Sequence, residues 1–214
     1  MAARAHSADP RAERVRTRLR EAAFALAHER PVDQMTVGDI VARAEVSRQV
    51  FYQHFRDRDD AVATAFTVSF AAATADIGRI DGTAVGGRID GTAVGGGDAR
   101  AHIIRLFDFA AEHRSMYRNI VPSAVTQRVV TAFRAELAPA CEEIATQGMP
   151  VVSPIAGLTP ESVSRFLVGG FMEVLRFWME DPDATDLSGR VSAALDTVNA
   201  LLGLTTHSKG PQHG

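Results

Sequence analysis

Residues Thr36 to Arg58 read TVGDIVARAEVSRQVFYQHFRDR, and the fold is decided by how this stretch is cut into helices. Thr36-Val37-Gly38-Asp39 has the form of a capping box. Met35 and Ile40 stand where a hydrophobic staple needs them, so a short helix is predicted from Val37 to about Ala44. Ser47 caps another helix immediately, with Val46 and Phe51 as its staple pair. At about 100° per residue, Arg48, Gln49, Tyr52 and Gln53 share one arc, while Val50, Phe51 and Phe55 lie opposite. Two short helices joined at Glu45-Val46-Ser47 make a helix-turn-helix, whose second helix is offered to a DNA major groove. Arginine and glutamine carry donors that fit guanine and adenine edges, so Arg48, Gln49 and Gln53 are the candidate base readers. A solvated helix face shows the same residue types, and taken alone the wheel fits either reading.

The segment upstream favours DNA. Asp9-Pro10 opens a helix over residues 10–28, in which Val15, Leu19, Ala22, Ala23 and Leu26 recur at helical spacing before the break at Pro31. Arg11, Arg14, Arg16, Arg18 and Arg20 crowd its N-terminal half against one Glu13. Cations there oppose the helix dipole, so phosphate contact accounts for them better than helix stability does. The formal net charge of -3 excludes a uniformly basic nucleic-acid binder, yet residues 1–60 hold 11 arginines against 10 acidic residues and form the less acidic end.

Downstream, Asp57 caps a helix from Arg58 to about Ile77. GRIDGTAVG then occurs twice without change, at Gly78 to Gly86 and Gly87 to Gly95. Two copies of so short a unit build no solenoid and glycine opposes a helix, so residues 78–97 are expected to be a flexible loop. Helical periodicity resumes at Ala99, with a short piece around Arg114 to Ile120. A longer helix follows from Ser123 to about Thr146, then a connector from Gly148 to Leu158. The last two helices run from Thr159 to Glu180 and from Asp186 to Leu202. The fold class is all-α, a three-helix DNA-binding unit at residues 9–57 followed by a helical ligand-binding and dimerisation domain at 58–204. Residues 1–8 and 205–214 are expected to be disordered.

Of 214 residues, 46% are hydrophobic and only 7% aromatic, a composition that suits packed helices. One cysteine, Cys141, excludes an internal disulfide framework and a cysteine-based zinc site, as in a reducing cytoplasm. The uncharged run of residues 61–75 is too short to span a bilayer and reads as a buried helix. A cytoplasmic protein without cofactor or metal is expected. His102 and His113 lack further metal-ligating partners and read as surface histidines.

Thr36 to Arg58, within residues 14–66, resembles the DNA-binding domain of the TetR family of bacterial transcriptional regulators. The features that carry the resemblance are the capped Thr36, Val46-Ser47, Phe51-Tyr52-x-His54-Phe55 and the basic Arg58. It implies a nine-helix homodimer that binds a palindromic operator as a repressor and is released by a small-molecule effector. It also implies a four-helix bundle between subunits, built from the last two helices of each. By position, Thr36, Tyr52, His54 and Arg58 match phosphate-contacting residues, and Ser47 joins them at a helix start. His54 lies between Val50 and Phe51 on the wheel, so a packed histidine competes with that role. Glu45 departs from the family, whose turn has glycine there in a left-handed conformation. The duplicated loop is also longer than the usual link.

For the effector, expected to be largely apolar, Phe107, His113, Met116, Tyr117, Phe133, Phe166, Phe171 and Trp178 are candidate lining residues, with ordinary core packing as the competing reading. Gly169, Gly170, Val191, Leu195, Val198 and Leu202 are the candidate dimer interface. Two other classes compete. An enzyme would need a nucleophile with its base, or a Glu-x-x-His motif, and neither is found. A dimeric ligand-binding or interaction module that has lost DNA regulation keeps Glu45 as its best support.

Overall fold

The computed structural model describes residues 10–75, 96–121 and 123–204. Among these there are nine α-helices and no strand. They are α1 (Pro10–Glu29), α2 (Val37–Ala44), α3 (Arg48–His54), α4 (Arg58–Ala75), α5 (Gly96–Glu112), α6 (Arg114–Ile120), α7 (Val125–Val152), α8 (Pro160–Glu180) and α9 (Leu187–Leu201), with a 3-10 turn at Val32–Gln34. The Asp9 cap, the duplicated loop and both chain ends lie outside the described residues.

Two compact units divide the chain, one of residues 1–76 and 112–132, the other of residues 77–111 and 133–214. Packing therefore joins α4 and α6 to the DNA-binding helices, so the packing boundary does not follow the functional boundary expected at 57/58.

In the first unit, α1 lies against α2, α4 and α6. Its inward stripe of Leu19, Ala22, Ala23, Leu26 and Ala27 is buried, as are Ala61, Val62, Phe66 and Phe70 of α4. Small residues on both helices let them approach closely, and the phenylalanines supply the buried apolar area. The Asn119 side chain donates to the carbonyls of Ala27 (2.9 Å) and His28 (3.2 Å), so α6 caps the C-terminal end of α1.

In the second unit, Ile103, Leu106, Phe107, Phe133, Leu137 and Phe171 are buried, and the Phe107 ring meets Phe133 and Phe171 edge-on at 5.3 and 6.2 Å. Arg100 pairs with Asp196 at 2.7 Å and His102 meets the Glu136 carbonyl at 3.0 Å, joining α5 to α9 and α7. His102 is thus a partly buried structural residue rather than a surface histidine.

The connector predicted from Gly148 is instead helix as far as Val152, with Pro139 and Pro150 inside it. The physical reason is tertiary. A Cβ at Gly148 would lie 2.8 Å from Leu202 Cδ1 and 2.9 Å from its Cβ, so the glycine makes room for the end of α9 and does not stop a helix. At the other side of the same contact Gly203, at φ 66°, leaves space beside Val151.

Candidate nucleic-acid interface

Both local signals that predicted the short helices are present. Thr36 accepts from the Asp39 amide at 3.1 Å, and Asp39 accepts from the Thr36 amide at 2.8 Å, closing the box that starts α2. The Ser47 hydroxyl accepts from the Val50 amide at 3.2 Å and starts α3. Hydrogen bonds from Thr36, and then Arg30 at 3.3 Å, hold the Asp39 carboxyl below the usual carboxylate range.

On α3, Phe51 and Phe55 are buried, while Arg48, Gln49, Tyr52 and Gln53 are exposed together. Tyr52 keeps 59% of its surface exposed, and its ring stands perpendicular to Phe51 at 5.4 Å, which fixes where its hydroxyl points. His54 is half-buried. Arg48 is turned back toward α2, with its guanidinium beside Gly38.

Glu45 occupies the left-handed region at φ 51° and ψ 48°. Arg18 of α1 answers this departure. Its guanidinium donates to the Ala44 carbonyl and lies 3.4 Å from a Glu45 carboxylate oxygen, so one cation caps α2 and compensates the acid.

Several arginines read from the sequence as phosphate contacts have internal partners. Arg18 is held at the turn, Arg20 bonds Thr17 (2.8 Å) and Glu13 (3.2 Å), and Arg16 stacks over Phe55 with its guanidinium carbon 6.0 Å from the ring centre. Arg58 differs most from expectation. Its side chain donates to the carbonyls of Asp33 (3.0 Å) and Met35 (2.8 Å) and to the Asp59 carboxylate (2.9 Å), tying the start of α4 to the 3-10 turn and link before α2. Thr36 likewise donates its hydroxyl hydrogen to Asp39 at 2.8 Å. Gly38 was missed as a site residue, and Arg18 was read as a phosphate contact and not as the cation of the turn. Their partners are remote in sequence, and no local pattern announces them; the non-glycine residue in the turn was the one available signal.

The candidate effector residues do not come together as one set. His113, Met116 and Tyr117 belong to the first unit, where Tyr117 packs edge-on against Phe66 at 5.5 Å and burial drives its hydroxyl pKa far upward. Phe107, Phe133, Phe171 and Trp178 are buried in the second. Phe166 is 77% exposed on α8, so it lines no interior and leaves the candidate set. His113 is not a surface residue either. The His28 ring meets the Phe24 carbonyl through Nδ1 at 2.8 Å and the His113 Nδ1 through Nε2 at 3.0 Å. A carbonyl only accepts, so His28 Nδ1 carries the hydrogen of that bond; with both rings neutral, His113 Nδ1 donates to His28 Nε2.

The dimer candidates divide too. Val191, Leu195 and Leu202 are buried within the protomer and therefore face its own core; the apolar stripe had been assigned to the wrong side of α9. Gly169 and Gly170 are exposed, in company with Phe166, Phe177 and Leu201. Among the described residues no group of three or more His, Cys, Asp or Glu side chains is placed to hold a metal ion, and no helix is long and apolar enough to cross a membrane. Burial pushes the Cys141 thiol up to about 12, which leaves it unreactive.

Residues 19–63 match the family described as bacterial regulatory proteins, tetR family. No curated protein matches the sequence. Among solved structures, FadR of Bacillus subtilis in complex with stearoyl-CoA is 15% identical with a TM-score of 0.61, over 85% of this chain and 96% of that one. FadR of Thermus thermophilus, a TetR-family repressor in complex with lauroyl-CoA, is 18% identical with a TM-score of 0.57, over 93% and 100%. A tetR-family regulator of Streptomyces coelicolor is 19% identical with a TM-score of 0.56, over 90% and 88%.

Proposed function

We propose, from the match of residues 19–63 to the tetR family of bacterial regulatory proteins, that the chain is a ligand-responsive repressor which binds a palindromic operator as a homodimer. The observation that carries the reading is the arc of Arg48, Gln49, Tyr52 and Gln53 standing exposed above buried Phe51 and Phe55, on a helix whose start and turn are both capped. In this reading the arc enters the major groove, with Gln49 and Gln53 at base edges and Arg48 between bases and backbone. Thr36, Ser47, Tyr52 and His54 face phosphates. Arg58 holds the frame and reaches a phosphate only by giving up a carbonyl.

The effector is proposed to be largely apolar and to lie among the rings of the second unit, Phe107, Phe133, Phe171 and Trp178. Two regulators of similar fold are in complex with acyl-CoAs, which makes lauroyl-CoA the first probe. The dimer is proposed to form on the outer faces of α8 and α9, through Phe166, Gly169, Gly170, Phe177 and Leu201. Reading the chain as a module without DNA regulation rests on Glu45, and Arg18 beside that carboxylate weighs against it.

The test is an electrophoretic shift on the DNA flanking the chain's own gene, with salt titrated. Binding that weakens linearly in log salt and tightens on one duplex over scrambled controls supports the reading. Equal affinity for all duplexes overturns it.

A further inference from the structure

Gly38 is the second residue of α2 and Arg48 the first of α3, so the turn brings them together. A Cβ on Gly38 would lie 3.0 Å from Arg48 Nη2, 3.9 Å from its Cζ and 3.2 Å from the Thr36 hydroxyl. The first distance is tighter than most real Cβ contacts, so a side chain here would crowd the guanidinium and make it give way. Neither the turn nor the helix demands glycine here, because Gly38 has ordinary helical backbone and only Glu45 among the described non-glycine residues has positive φ. Arg48 is exposed, and its planar fork suits a phosphate as well as it suits guanine. What decides between those two uses is where the guanidinium is held.

We infer that Gly38 is a specificity-determining residue, which holds the Arg48 guanidinium over the first turn of α2 beside Thr36, as a backbone-phosphate contact, and leaves base reading to Gln49 and Gln53. This rests on the DNA-binding reading above and refines the part that Arg48 takes in it. A β-carbon at position 38 crowds the far end of the flexible Arg48 side chain and, at 3.2 Å, the Thr36 hydroxyl; the helix stays and the guanidinium gives way toward the groove. Position 38 touches no base, yet it sets which bases the protein prefers.

The experiment compares wild type, Gly38→Ala, Arg48→Ala and the double variant, on a duplex selected from a random pool and on a scrambled one, over a range of salt. Arg48→Ala is expected to weaken both duplexes alike, by about tenfold, and to reduce the salt slope by about one. Gly38→Ala should keep or raise the melting temperature, since alanine is the better helix residue, and shift the preferred sequence on reselection. In the Arg48→Ala background the second substitution should change affinity less than about twofold, because the residue it acts through is gone. Equal effects of Gly38→Ala with and without Arg48 overturn the inference. So does an Arg48→Ala variant that loses sequence preference instead of overall affinity, a result that stands even if Gly38→Ala does not fold. Wild-type protein that binds neither duplex overturns the DNA-binding reading itself and the inference with it.

Discussion

Glu45 shows how one residue can break a local rule and be repaired from a distance. A left-handed non-glycine residue costs about 1 kcal/mol, and an exposed ion pair such as Arg18–Glu45 returns less than about 1 kcal/mol. Arg18 also bonds the Ala44 carbonyl at the end of α2, which a glycine at position 45 would leave in place. Glu45→Gly is therefore expected to leave stability unchanged or raise it by up to about 1 kcal/mol, and Arg18→Ala to lower it by about 1 to 2 kcal/mol. Denaturant midpoints decide this; a larger loss from Glu45→Gly than from Arg18→Ala would show that the ion pair holds the turn. His113 allows a second test. Burial, then the neighbouring His28, holds its pKa below the ordinary value, with Glu112 opposing weakly. The unfolded chain therefore takes up the proton first as pH falls, and the folded form loses stability on acidification through about pH 6.5. Melting temperature should be flat above about pH 7 and fall from there to pH 5.5, and His113→Gln should flatten that limb. An unchanged slope in the variant would remove His113 from the account.

Helices whose signals are local were legible from the sequence. The box at Thr36 and the Ser47 cap both form as read, and Thr159 starts its helix where expected with Ser162 closing a capping box, because a cap is settled by residues three positions apart. The exposed arc of α3 was legible for the same reason, since helical spacing separates it from Phe51 and Phe55. What was not legible depends on partners far along the chain. Gly148 and Pro150 read as a helix end, yet the contact with Leu202 outweighs that signal. An apolar stripe on α9 says that one side is covered and not by what, so Leu195 was assigned outward when it faces inward. Arg58 matched a phosphate position, while its carbonyl partners lie 23 and 25 residues away. Gly148→Ala tests the tertiary override. Helix propensity favours alanine by about 1 kcal/mol, but the overlap includes Leu202 Cβ, which cannot rotate away, and overpacking of this kind costs about 1 to 3 kcal/mol. Net destabilisation of about 1 kcal/mol, or a melting point lower by about 2 to 4 °C, is expected, with recovery in Gly148→Ala/Leu202→Ala. A higher melting point in the single variant would mean that α9 does not close on Gly148.

For the whole molecule, the proposed regulation requires two linked heads, because paired half-sites about one helical turn apart are read only by a dimer. The exposed apolar residues of the last helices give the means to test it. Leu195 is fully buried in the protomer, so a charge there would damage the fold and report nothing about association. Phe166, 77% exposed, and Phe177, 62% exposed, are the sites to change. Each phenylalanine covered on association contributes up to about 1.5 to 3 kcal/mol, and two-fold symmetry counts each one twice. Phe166→Glu is therefore expected to leave the melting temperature of the protomer nearly unchanged, to give monomers at micromolar concentration by sedimentation, and to weaken operator binding. Gly170→Leu supplies an independent check, since nothing within 4 Å meets a Cβ at Gly170 in the protomer. Within one chain the substitution should stabilise the helix by about 1 kcal/mol; across a close two-fold contact it should force the helices apart. A variant that is more stable yet dissociates places the partner's backbone at Gly170. One that is more stable and remains dimeric puts the interface elsewhere, and an effector acting through the spacing of the heads would then need about 5.5 kcal/mol of differential binding transmitted by another face to reverse the populations.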